Sequence, residues 1–184
     1  MKRVVLLLAW GITIVSVLFL PVAYAQSLRL SNPLSELTVS EGHWVYHGHF
    51  LRSAGSQKGN WVWNENCRWA ANDAFMLCSF SNDWSGKHVN SIVVDTYNPE
   101  LKSFWHFEIF NSGSTAQKPF AARMVIRGNK RIESWVVRPK DGKIMRERIV
   151  YVFSGSNRVK VLFQQAISGE SWVETAVGVG KRIE

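Results

Sequence analysis

Residues 64–80 read NENCRWAANDAFMLCSF and hold both cysteines of the chain, Cys67 and Cys78, placed symmetrically about Asn72-Asp73. Asn and Asp favour turns because their short side chains bond the nearby backbone and tolerate left-handed conformations. The flanks are rich in aromatic and aliphatic residues. A hairpin turning at Asn72-Asp73, with Ala71 to Ala74 as its loop, sets the two cysteines opposite each other at a non-hydrogen-bonded site. Side chains approach closest there. A disulfide is the expected state in an oxidising compartment, and one closing so small a loop stabilises by at most about 3 kcal/mol in the chain-entropy model. A metal or redox thiol pair is the competing reading, but the spacing is not Cys-x-x-Cys.

The compartment is read from the start of the chain. Lys2-Arg3 forms a basic segment, Val4 to Leu20 is apolar, and Ala23-Tyr24-Ala25 has the small-x-small form of a signal-peptidase site. Residues 1–25 are expected to be a signal peptide cleaved before Gln26, leaving 26–184 as one domain of an exported bacterial protein, periplasmic or secreted. The apolar run is long, so an uncleaved membrane anchor is the alternative; after cleavage no stable membrane insertion is expected. Removing residues 1–25 takes away Lys2 and Arg3 and no acid, lowering the formal charge from +8 to +6. The basic residues are spread thinly, without the Lys/Arg block of a nucleic-acid-binding protein.

Asn32-Pro33 reads as a helix cap followed by proline at the first helical position, and Gly42 as a stop. Beyond Gly42 the chain is a series of short runs rich in Val, Ile, Phe, Trp and Tyr, separated by turn residues. Strands are expected at 43–51, 60–70, 74–81, 90–97, 102–110, 119–127, 131–138, 144–153, 158–166 and 171–179, with one loop of moderate length, Ser81 to Val89. Short connections make consecutive strands antiparallel neighbours. A meander of about ten strands leaves two open edges unless it closes. The expected fold is therefore all-β: an up-and-down antiparallel barrel with a short N-terminal helix as a plug.

Gly42-His43-Trp44 resembles the G-x-W of lipocalin-type barrels. CRW at 67–69 followed by AFMLC at 74–78, and DTYNPELKSFWHF at 95–107, are similar to an uncharacterised bacterial family of lipocalin-like (calycin-like) exported proteins. That family has a cysteine-paired hairpin and a Y-D-x-x-x-K-x-Y motif; here Asn98 replaces the Asp, and Phe104 or Trp105 stands for the final aromatic. The resemblance runs from about Leu34 to Arg182 and implies a calycin-like barrel with no established activity. It also implies a structural contact of Trp44 with Arg182 or Lys181 at the closed end, by cation–π attraction and burial.

Candidate chemistry follows from strand alternation. His43, His47 and His49 share one face of the first strand, opposite Trp44, Tyr46 and Phe50. His47 and His49 form a His-x-His pair, which needs a third ligand, His106 or His88, to hold a metal; a solvated face is the simpler reading, and no metal or other cofactor is assigned. Acids stand inside apolar stripes: Glu65 with Trp61, Trp63, Cys67 and Trp69; Glu108 with Phe104, His106 and Phe110; Glu147 with Met145, Ile149, Tyr151 and Phe153. A buried carboxylate costs several kcal/mol unless paired, so these acids line a cavity, pair with Arg68, Arg146 or Arg148, or lie on the outer wall. The expected ligand-binding set is Trp63, Glu65, Trp105, His106, Trp135 and Glu147. The first reading of function is an exported binding protein holding a small, partly apolar ligand. The alternatives are an isomerase or hydrolase using His106 with a pocket carboxylate, a sugar stacked on Trp63 beside Glu65, and a structural envelope protein with a filled barrel. No G-x-S-x-G, Cys-His pair or phosphate-cradling loop names a reaction, and no catalytic residue is assigned. Oligomeric state is not legible.

Overall fold

The computed structural model describes residues 33–51, 58–84, 87–111, 119–138, 142, 144–167 and 169–183. The chain divides into two units, Met1–Ser35 and Glu36–Glu184. The expected signal segment, its expected cleavage site and the expected capping Asn32 lie outside the described residues, and the account below concerns the second unit.

Ten strands follow a 3-10 helix, Pro33–Ser40: β1 Gly42–Phe50, β2 Asn60–Ala70, β3 Phe75–Trp84, β4 Lys87–Asn98, β5 Ser103–Asn111, β6 Phe120–Arg127, β7 Lys130–Val137, β8 Met145–Phe153, β9 Arg158–Ile167 and β10 Val173–Ile183. Each pairs antiparallel with its sequence neighbours, and β10 returns to β1, so the sheet is a closed up-and-down barrel. Closure runs from His43↔Ile183 to Phe50↔Ala176. Among the described residues every strand has a partner on both sides, so no whole edge strand is open for another chain to extend.

The β2–β3 hairpin turns as its composition dictates. Ala71, Asn72 and Asp73 all take positive φ, at 50°, 56° and 63°. The strands on either side pair Cys67 with Cys78, which are bridged at a Cα–Cα distance of 4.0 Å.

Two expectations change. The loop over 81–89 is mostly strand: β3 runs to Trp84 and β4 starts at Lys87. Its polar residues suit a barrel wall, because Asp83 faces outward and pairs with His88 at 2.9 Å, while Asn82 faces the interior cavity. The last strand also runs on to Ile183, beyond the expected 179, because it is the partner that closes β1.

The base of the barrel is packed solid around Trp44, Met76 and Met124, none of which is exposed. Leu37 of the 3-10 helix is also wholly buried. Trp44 Nε1 donates to the Ser40 carbonyl at 3.2 Å, the Arg182 guanidinium lies 4.8 Å from the Trp44 ring centre, and Arg182 donates to the Val39 carbonyl at 2.9 Å. The helix is thus tied to both the first and the last strand.

Along the closing seam three interior positions are glycine. A Cβ on Gly48 or Gly178 would overlap the Trp61 ring, and one on Gly180 would overlap Tyr46. These rings lie flat against bare backbone, which only glycine permits.

Candidate functional site

Inward positions of β4, β5 and β7 carry charge where an apolar core would be expected. Asp95, His106, Arg131 and Glu133 are all buried. Arg131 sits at the centre. Its Nε donates to Glu133 Oε1 at 2.6 Å, its guanidinium pairs with Asp95 Oδ2 at 3.2 Å, Nη1 donates to Ser40 Oγ at 2.6 Å, and its face lies 5.0 Å from the Tyr151 ring centre. His106 Nδ1 meets Asp95 Oδ1 at 2.8 Å. Buried charges are tolerated when paired and hydrogen-bonded in this way.

Burial pushes the Asp95 carboxyl up, but Arg131 and His106 outweigh it and hold its pKa below the usual range. Burial pushes the His106 imidazole down, but Glu133 and Asp95 outweigh it and hold its pKa well above the usual value. Both shifts favour the charged form. Glu65 is different. It accepts from Tyr46 Oη at 2.7 Å, and burial pushes its pKa up to about 7 against the lowering by Arg131 and Tyr46. Its other oxygen lies 3.0 Å from Cys67 Sγ. A disulfide sulfur has no proton to donate, so this contact suits a protonated carboxyl whose O–H faces the sulfur.

Above this charged floor the interior opens into a cavity of about 420 Å³. The floor contributes His106 and Glu133; the walls are largely ring and aliphatic side chains, among them Trp63, Phe110, Phe120, Trp135 and Phe163. Glu108 reaches into it, accepting from Ser91 Oγ at 2.5 Å, with its second oxygen 3.6 Å from His106 Nε2.

Of the six expected ligand residues, Trp63, His106 and Trp135 line this cavity. Glu65 lies deeper, against Tyr46 and the disulfide. Glu147 stands beside the lining, accepting from Trp135 Nε1 and Gln165 Nε2, both at 2.8 Å. Trp105 is not brought there. It follows Phe104 and precedes His106, both interior, so alternation turns it to the outer wall, where it stacks on Phe107 at 6.0 Å between ring centres. The arginines weighed as partners for the acids also lie elsewhere: Arg146 and Arg148 cover the Trp172 ring.

His43, His47 and His49 are exposed on β1. Among the described residues no third metal-binding side chain stands with His47 and His49; the one cluster of three is Glu65, Cys67 and Cys78, whose sulfurs are bonded to each other. Asp95, Arg131, Glu133 and Asn82 were missed in the sequence. Arg131 and Glu133 were within reach, since they alternate in phase with Trp135 on β7.

No family model and no curated protein matches the sequence. In fold the chain is similar to the crystal structure of Rv2717c from M. tuberculosis, with a TM-score of 0.53 over 83% of this chain and 99% of that one, at 10% sequence identity. Among the described residues no helix is long and apolar enough to cross a membrane.

Proposed function

We propose that this chain is an exported, lipocalin-like binding protein that holds a small, partly apolar molecule inside its barrel. The observation that carries the reading is the cavity of about 420 Å³ with aromatic walls and a charged floor. Small-molecule sites are usually of this kind: concave, mostly apolar, with a few convergent polar groups. The Cys67–Cys78 bridge supports an oxidising compartment. Binding is favoured over base catalysis because Glu133 and Asp95 hold the His106 pKa well above its usual value, which disfavours the imidazole as a general base.

Native mass spectrometry of protein purified from its own host is expected to show an adduct that is lost on denaturation. Titration with one- and two-ring compounds should quench tryptophan fluorescence saturably, and Ile149→Trp, which fills the cavity, should abolish the quenching while the barrel stays folded. A bare polypeptide mass with no saturable quenching by any compound would overturn the reading.

A further inference from the structure

The cavity of this basic protein, +8 by formal count, is lined by acids. Glu108 and Glu133 both face it, with His106 as the one basic side chain among the lining residues. The guanidinium of Arg131 is engaged below the cavity. Arg131 is bonded to Glu133 and Asp95 and is not among the lining residues. His106 directs Nδ1 at Asp95. Glu108 accepts from the neutral hydroxyl of Ser91, and its second oxygen forms a longer ion pair, 3.6 Å, with His106 Nε2. Asp95, Glu133 and Glu108 together outnumber Arg131 and His106 by one charge. Glu147, held only by the neutral donors of Trp135 and Gln165, adds to the excess.

A second observation is independent of charge. Asn82 Oδ1 and Trp63 Nε1 are buried polar atoms with no hydrogen-bond partner, and both side chains line the cavity. Trp63 is 4% exposed. Buried polar groups are nearly always satisfied, so a wall with an unfilled acceptor and an unfilled donor is complete only with an occupant. Two acceptors face the space without a full partner, the Glu108 carboxylate and Asn82 Oδ1, beside the one unpartnered donor Trp63 Nε1. Aromatic faces surround them, and these attract a cation and repel an anion.

Resting on the binding reading above, we propose that the occupant is an organic cation: a protonated amine on a ring-containing apolar body. Its ammonium group sits at Glu108 and Asn82 Oδ1, and its body lies against Trp63, Phe110, Phe120 and Phe163. A carboxylate of the same shape is excluded by Glu108 and Glu133, and a neutral analogue loses the charge-assisted hydrogen bond.

The test uses 1-naphthylmethylamine, 1-naphthylmethanol and 1-naphthoic acid, which share a body and differ in charge, titrated calorimetrically into the mature protein at pH 7 and low salt. The amine is expected to bind at least about tenfold more tightly than the alcohol, as hydrogen bonds to a charged group require, and the acid least. Glu108→Gln should remove that preference and leave the alcohol within about twofold, since only the charge-assisted bond is lost. Glu147→Gln should weaken the amine less, and serves as the second variant if Glu108→Gln does not fold. Equal or tighter binding of the alcohol or the acid overturns this proposal and leaves the binding reading standing. So does an undiminished amine preference in Glu108→Gln, or in Glu147→Gln where that variant stands in. Failure of all three compounds to bind overturns the two together.

Discussion

Glu65 on β2 and Asp95 on β4 are both buried carboxyls inside one barrel, yet their pKa values are shifted in opposite directions. Burial pushes each one up. At Glu65 that push wins and takes the group to about 7; at Asp95 it loses to Arg131 and His106. Arg131 lowers both, but it touches only Asp95, and Glu65 has a tyrosine hydroxyl for its nearest donor. In a medium of low polarity, the contact partner rather than the depth decides whether an acid is an ion.

The signs of the pH dependence follow. Glu65 has its folded pKa above the unfolded value of 4.5, so the fold loses stability as pH rises from 4.5 to about 7. His106 has its folded pKa raised above 6.5. Its contribution is full below 6.5 and is lost as pH rises through the higher folded value. Asp95 is lowered from 3.8, and its contribution is lost only as pH falls below that.

The harshest way to break the contrast is Arg131→Met. It leaves Asp95 and Glu133 buried without their cation and should cost about 3–5 kcal/mol, lowering Tm by about 10 °C at pH 7. An unchanged Tm would show that Arg131 does not set the state of Asp95. Next in size is Glu65→Gln, which keeps the acceptor for Tyr46 and removes the charge. The rise from 4.5 to about 7 corresponds to about 3 kcal/mol. Urea unfolding should find the variant more stable than the parent by that order at pH 8 and by almost nothing at pH 4. A gain of equal size at both values would assign the effect to packing instead. His106→Gln keeps a hydrogen bond to Asp95 and removes the second cation. It should cost about 2 kcal/mol at pH 6, and the variant's Tm should no longer carry the His106 decline above pH 6.5. The smallest effect is a control: Gly128→Ala, at the exposed β6–β7 turn where φ is +58°, should cost about 1 kcal/mol by backbone strain. The loss should be the same at pH 5 and pH 8.

The fold was legible because its signals are local. Turn residues, alternating runs and short connections leave a meander little choice but to close, and the Asn72-Asp73 turn set the cysteine register. The floor was less legible. That Arg131, Glu133 and Asp95 face inward follows from alternation with Trp135 and Val93, but their mutual contact depends on strands far apart in sequence brought round the same barrel. Asn82 was lost for a different reason: its polar neighbourhood reads as loop, whereas a strand near a barrel mouth can be polar on both faces. Trp105 was misplaced by admitting two adjacent residues to one face of a strand.

The rings laid over Gly48, Gly178 and Gly180 have one more consequence. Among the described residues, no side chain of β1 or β10 borders the cavity; its walls come from β2 through β9. The junction where the first and last strands meet is upholstered by Trp61 and Tyr46 and has no say in what the interior accommodates. If the barrel holds a guest as proposed, its selectivity can therefore drift by exchanges on the β5 to β8 side while the clasp that keeps the cylinder shut goes unaltered, and an engineer seeking a new guest has that half of the wall to work on.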